Sequence, residues 1–286
     1  MKNILVVTLL YCSIATLSFG QEKAHQIYNN NGNKISYKTM LFKIKNADVV
    51  LFGENHNDPI SHWLQLELTK SLHEKHGENL MLGAEMLEAD NQVVLDEYLL
   101  GFSREKDFEK EAKIWPNHKT DYRPLLRFAK KNDLHFVATN IPRRFANMVY
   151  RFGVDTLAYL PEASKQFIAP LPMAYDTSLH CYKKISIMAG GHGGENLPKS
   201  QAIKDATMAH FIHANMKENT KFIHYHGSYH SKFYESIMWY LLQLNSELSI
   251  TTIEVVEQTD ISAFDKELLG NADFFIVVDE DMCKTH

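Results

Sequence analysis

The stretch VVLFGENHNDP, residues 49–59, decides the fold. Val49, Val50, Leu51 and Phe52 run without a break and stop at Gly53, and Glu54, Asn55 and His56 follow at once. An apolar run of that length, bounded by Gly and Pro, predicts a strand buried on both faces, the pattern of a central strand in a parallel sheet. In such sheets ligands bind where the strands end. A carboxylate and an imidazole at that point make the strand end the candidate site.

The neighbouring segments alternate in type. After a polar opening at residues 22–40 and the strand at 49–54, PISHWLQLELTKSLHEKHG sets Ile60, Trp63, Leu64, Leu68 and Leu72 at helical spacing until Gly77 stops the run. NLMLGAEM predicts a second buried strand, YRPLLRFAKKND a short helix and LHFVATNI a third strand. Residues 152–176 hold several prolines and read as a helical or loop insertion in the middle of the chain. Regular pattern returns with a helix at 199–216, a strand in KFIHYHGS, a helix in YESIMWYLLQLN, and late strands in SITTIEVVE and DFFIVVDE. Such alternation predicts an α/β fold, a mostly parallel sheet flanked by helices, in a single domain over residues 21–286.

Residues 1–20, MKNILVVTLLYCSIATLSFG, carry Lys2, a short apolar core and then Ser18 and Gly20 as small residues before a cut, which reads as a secretory signal peptide. Export to the periplasm or cell surface is therefore expected. Cys12 follows Tyr11 rather than a small residue and is a poor lipidation site. Cys181 and Cys283 remain, and spacing alone leaves their pairing open. With a net charge of −5 and no basic stripe, nucleic acid is not an expected partner. The outlier is the count of 15 His, the usual metal ligand and near-neutral acid or base.

Three of the strands close on the same chemistry: Glu54 and His56 after the first, Glu85 on the second, and His224, His226 and His230 along IHYHGSYHS. In a parallel sheet these ends share one edge, so Glu54, His56, Glu85 and His230 are expected around one cavity. Gly-x-x-His occurs twice, at 53–56 and 227–230, with each Gly read as permitting a sharp strand exit. Gln201, Asp205 and Met208 share one face of the helix at 199–216 and are expected to look into the same cavity. His192 stands among four glycines in MAGGHGGENLP, either a loop that closes over a flat ligand or a plain surface loop. Arg143, just past the third strand, is within reach of Glu85 or of a ligand carboxylate. His73, His76, His118 and His286 are expected to be solvated.

These pieces, in order, resemble the ChaN-like haem-binding uptake family, related to the Tiki and erythromycin-esterase-like proteins. The matching segments are LFGENHNDPISHWLQLELTKSL, LGAEMLEADNQVVLDEYL, Trp115 with YRPLL, ATNIPRRF, HGGENLPKSQAIKDATMA and HYHGSYHS, which run from about position 47 to about 235. The resemblance implies an α/β fold with a pocket at the strand ends, handling of haem or iron, and peripheral association with an outer-membrane uptake system. From the wider superfamily it implies a metal or hydrolytic site on His56, Glu85 and His230.

Three functions follow. The first is an exported haem-binding protein for iron uptake or storage, in which His192, Gln201, Asp205, Met208 and Tyr229 surround the haem and a homodimer shields its two faces. The second is a hydrolase, with Glu54 or Glu85 as general base, His56 and His230 binding a divalent metal such as zinc or orienting water, and Arg143 stabilising an oxyanion. No H-E-x-x-H helix or G-x-S-x-G turn accompanies them. The third is an interaction module with a vestigial pocket.

Overall fold

The computed structural model describes residues 23–188 and 194–286, so the signal-peptide segment and His192 lie outside the described residues. The apolar runs become strands of one sheet: β1 (His25–Asn29), β2 (Lys34–Ile35), β3 (Val49–Glu54), β4 (Leu80–Glu88), β5 (Phe136–Asn140), β6 (Lys221–Gly227), β7 (Ile250–Gln258) and β8 (Phe274–Asp279). Their order is β2-β1-β8-β7-β3-β6-β4-β5. The six from β8 to β5 are parallel. At the other edge β1 pairs antiparallel with β2 and β8. The polar opening thus forms a hairpin, whose turn carries Gly32 at φ 74°; Asn31-Gly32 is the turn signal that encodes it.

The helices divide by chain half. Helices α1 (Tyr37–Ile44), α2 (Pro59–His76), α3 (Gln92–Leu99), α4 (Glu105–Glu111), α5 (His118–Asp121) and α6 (Arg123–Lys131) belong to the first half. Their apolar residues Met40, Leu68, Leu95, Phe108 and Leu125 pack with Phe52 and Leu82 over one side of the sheet, the first face. The second half supplies α7 (Arg143–Phe152), α8 (Glu162–Lys165), α9 (His180–Met188), α10 (Asn196–Asn215) and α11 (Ile237–Leu244). Val149, Ile203, Ile212 and Leu241 of α7, α10 and α11 meet Val49, Leu51 and Phe222 on the second face. The middle segment, which contains α8, buries Leu157, Leu160 and Ile168 in that same core. Tyr182 and Cys181 of α9 pack on Ala202 of α10. Cys181 is buried and Cys283 exposed, and both are free thiols.

Helix α2 departs from its expected apolar stripe. Trp63 is 52% exposed, while His62, Gln65 and Thr69 are buried with Leu64, Leu68 and Leu72. Asp58 caps the helix, accepting from the amides of Ile60 and Ser61. The N-terminal turns of α2 lie over a polar strand end, so the face that would otherwise carry apolar groups there carries hydrogen-bonding ones.

Candidate functional site

The sheet order builds the site. The chain passes from β3 through α2 to β4, but β6 later enters between them, so three carboxyl ends stand side by side. Glu54 pairs in register with Gly227, and Gly83 with His224. Strand parity then separates the two glutamates. Glu54 follows Val50 and Phe52 onto the first face, whereas Glu85 is one place out of step with Leu82 and Ala84 and turns to the second.

On the first face Glu54 is enclosed by donors. Tyr122 donates to its Oε1 at 2.6 Å, His56 Nδ1 lies 2.9 Å from the same atom, and Gln65 Nε2 donates to Oε2. Burial and the Glu54 charge raise the Tyr122 pKa, which keeps the phenol a donor. His62 extends the network, with Nε2 3.3 Å from Asp121 and 3.2 Å from the His56 carbonyl. Asn117 donates to that carbonyl at 2.9 Å and to Asp121 at 2.7 Å. The backbone and ring of His56 are therefore both held from this side.

On the second face three ionisable groups form a chain. His230 Nε2 lies 3.2 Å from Glu85 Oε1, and its Nδ1 bonds Asp205. Asp205 also accepts from Tyr182 at 2.9 Å, and Glu85 Oε2 accepts from the Gly227 amide at 2.8 Å. Burial disfavours the imidazolium, but the two carboxylates outweigh it and raise the His230 pKa to about 10. Burial pushes the Glu85 carboxyl up, yet the His230 charge prevails and holds it well below the usual range. For Asp205 burial wins and the pKa is raised. Near neutral pH the two carboxylates favour the imidazolium form of His230, with a carboxylate at each nitrogen.

The two Gly-x-x-His segments interlock. A Cβ on Gly53 would stand 2.9 Å from Ser228 Cα, and one on Gly227 would stand 2.8 Å from His56 Nε2. Each glycine is packed against the other segment. Gly227 has φ −61° and ψ 141°, ordinary extended backbone, so its role is close approach and not the unusual strand exit expected from sequence. His56 itself is half-buried, with Trp115 edge-on at 4.9 Å. Burial lowers its pKa, but the Glu54 hydrogen bond and the charges of Glu85 and Glu54 more than compensate, and the net shift is upward.

His224 and His226 are core residues. Thr139 donates to Ala84 O at 3.0 Å and so accepts from His224 Nε2 at 2.7 Å, which leaves His224 Nδ1 to accept from His226 Nδ1 at 3.0 Å. Burial lowers the pKa of His224 to about 3 and that of His226 well below its ordinary value. His118, expected to be solvated, is buried beside Phe108, and burial lowers its pKa to about 4.

Clefts open around this constellation. His56, Glu85, Arg143, Gln201 and His230 line one of about 600 Å³. Glu54, His56, Tyr229, His230 and Glu254 line a second of about 740 Å³. A third, of about 410 Å³, joins Ile185, Leu197, Gln201, Asp205, Tyr229 and His230. Met208 does not belong with them: it is 0% exposed in the second-face core. It shares the azimuth of Gln201 but stands seven residues on, about 10 Å along the axis, where α10 has passed from the strand ends to the body of the sheet. Among the described residues no three of His, Cys, Asp and Glu are arranged to hold a metal ion. Sequence reasoning missed Gln65, Tyr122 and Tyr182; the polar series Asp58, His62, Gln65 and Thr69 on α2 was the available signal.

The family model described as haem-binding uptake, Tiki superfamily, ChaN matches residues 40–241. No curated protein matches the chain. Among solved structures, ChaN of Campylobacter jejuni, described with cofacial haem binding, is 19% identical, with a TM-score of 0.70 over 90% of this chain and 98% of that one. A succinoglycan biosynthesis protein is 12% identical, with a TM-score of 0.52 over 85% and 90% of the two chains. At these identities the likeness is one of fold. No helix among the described residues is long and apolar enough to cross a membrane.

Proposed function

We propose, from the premise that this chain belongs to the ChaN haem-binding uptake family of the Tiki superfamily, that it is an exported haem carrier serving iron uptake, with Tyr229 as the iron ligand. The observation that carries the residue assignment is the position of Tyr229. Its side chain is 40% exposed on the turn after β6 and borders both the 740 Å³ and the 410 Å³ clefts. Tyr and His are the protein ligands that suit ferric haem outside thiolate sites. His230 is excluded because carboxylates engage both its nitrogens, and His56 Nε2 is packed over Gly227. Ile185 and Leu197 offer apolar surface beside Tyr229, and the Lys232 ammonium, paired with Glu254 at 2.5 Å, lies 5.7 Å from its ring centroid.

An open cleft covers one face of a porphyrin, so a second copy covering the other is part of the proposal. Haemin added to the mature protein is expected to give a saturable, shifted Soret band, with a doubling of mass in solution. Tyr229→Phe is expected to change the spectrum and weaken binding at least about tenfold. No saturable change with the unaltered protein would overturn the reading.

One observation favours a hydrolytic alternative: His56 Nδ1 is held by Glu54 at 2.9 Å and its ring borders two clefts, so a small movement of the ring off Gly227 would present Nε2 as a general base. Turnover of an activated ester that His56→Ala abolishes would support it.

A further inference from the structure

The 600 Å³ cleft has a wall that the haem reading does not use. Glu88 is paired with Lys113 at 3.2 Å, and Glu85 shares the His230 cation with Asp205 and feels the Lys204 charge from further off. Among the described residues two cations line the cleft without a direct ion pair. Arg143, on the first turn of α7, and the half-buried Lys204 of α10 both line the cleft, and neither has an ion-pair or side-chain hydrogen-bond partner among the described residues. The positive end of the α7 dipole lies at the same wall.

A second observation is independent of charge. Asn140, at the end of β5, lines the cleft and is only 9% exposed. Its Nδ2 donates to the Glu85 carbonyl at 2.9 Å, which fixes the amide orientation, because the flipped amide would set oxygen against oxygen. Oδ1 is then left buried without a donor. A buried acceptor left unpaired costs on desolvation, and an incoming hydroxyl or N–H would relieve it.

We infer that this cleft binds a small hydroxylated organic anion, a phosphate monoester or a carboxylate, with Arg143 and Lys204 on the anionic group and Asn140 Oδ1 accepting from the adjacent hydroxyl. The volume suits a small ligand. Arg supplies a planar fork and Lys a point charge, a pairing that holds either anion. The inference uses Arg143, Lys204 and Asn140, none of which the haem reading assigns, although the 600 Å³ cleft shares Leu197, Gln201 and His230 with the 410 Å³ cleft beside Tyr229.

The test is calorimetry on the full chain with glycerol 3-phosphate and with glycerate, and with propyl phosphate and propionate as partners lacking the hydroxyl. Saturable binding of one hydroxylated anion below about 1 mM is expected, weakened about tenfold in its hydroxyl-free partner and about tenfold by Arg143→Met or Lys204→Met. Which anion binds assigns the phosphate or the carboxylate class. Absence of saturable binding up to about 10 mM, or binding that Arg143→Met and Lys204→Met together leave unchanged, would overturn the inference. Should a variant fail to fold, equal affinity of the unaltered protein for an anion and its hydroxyl-free partner removes Asn140 from the site and the inference with it.

Discussion

Two buried polar clusters sit under the same edge of one sheet, on opposite faces, and they are built differently. Around Glu54 the partners are a phenol, an amide and a half-buried imidazole, all aimed at one carboxylate. Around His230 they are two carboxylates aimed at one imidazole. The first arrangement spreads one charge over several donors and holds His56. The second sets one cation between two buried carboxylates that both depend on it. Removing one donor from the first leaves others in place; removing the centre of the second strands two buried carboxylates.

That contrast can be broken most directly at its centre. His230→Ala is expected to destabilise the protein by about 3–5 kcal/mol in denaturant unfolding, because Glu85 and Asp205 lose their shared cation. A loss below about 1 kcal/mol would mean that the chain relaxes or hydrates and is no more demanding than the Glu54 cluster. The seam between the clusters comes next. Gly53→Ala forces a methyl against Ser228 Cα and is expected to cost about 2 kcal/mol, with Gly227→Ala less severe because its obstacle is the His56 ring. Tyr122→Phe removes one of several donors to Glu54 and is expected to cost about 1.5 kcal/mol in the same assay.

The pH dependence sharpens the comparison further. The His230 pKa is raised from 6.5 to about 10, so its contribution is whole below pH 6.5 and is lost as pH climbs toward 10. Unfolding free energy should fall across that window with a slope from this group of at most about 1.4 kcal/mol per pH unit, and His230→Gln should remove that slope. Glu85 acts at the other end: its depressed pKa contributes stability above about pH 4.5 that is lost as pH falls through the lower folded value. The smallest effect is expected at Gln201→Ala, which touches neither cluster by a hydrogen bond and should stay within about 0.5 kcal/mol.

The sequence by itself determined that VVLFGE, LMLGAEM and KFIHYHGS are buried strands and that their ends carry Glu54, Glu85 and His230, because uninterrupted apolar runs and their polar ends are local signals. The α/β class followed from their alternation with helices, and Asn31-Gly32 encoded the edge hairpin for a reader attending to turns. Which face each glutamate serves was not legible, since parity has meaning only relative to neighbours, and β6 reaches its place between β3 and β4 from more than 130 residues away. The same non-local step makes Gly53 and Gly227 necessary: each leaves room for the other's segment, a constraint that no window around either residue contains. Helical spacing grouped Gln201, Asp205 and Met208, but only the lie of α10 across the sheet decided that Asp205 meets His230 while Met208 enters the core. The charge of His230 is tertiary as well, because an imidazole becomes a lasting cation only when folding sets carboxylates against both of its nitrogens.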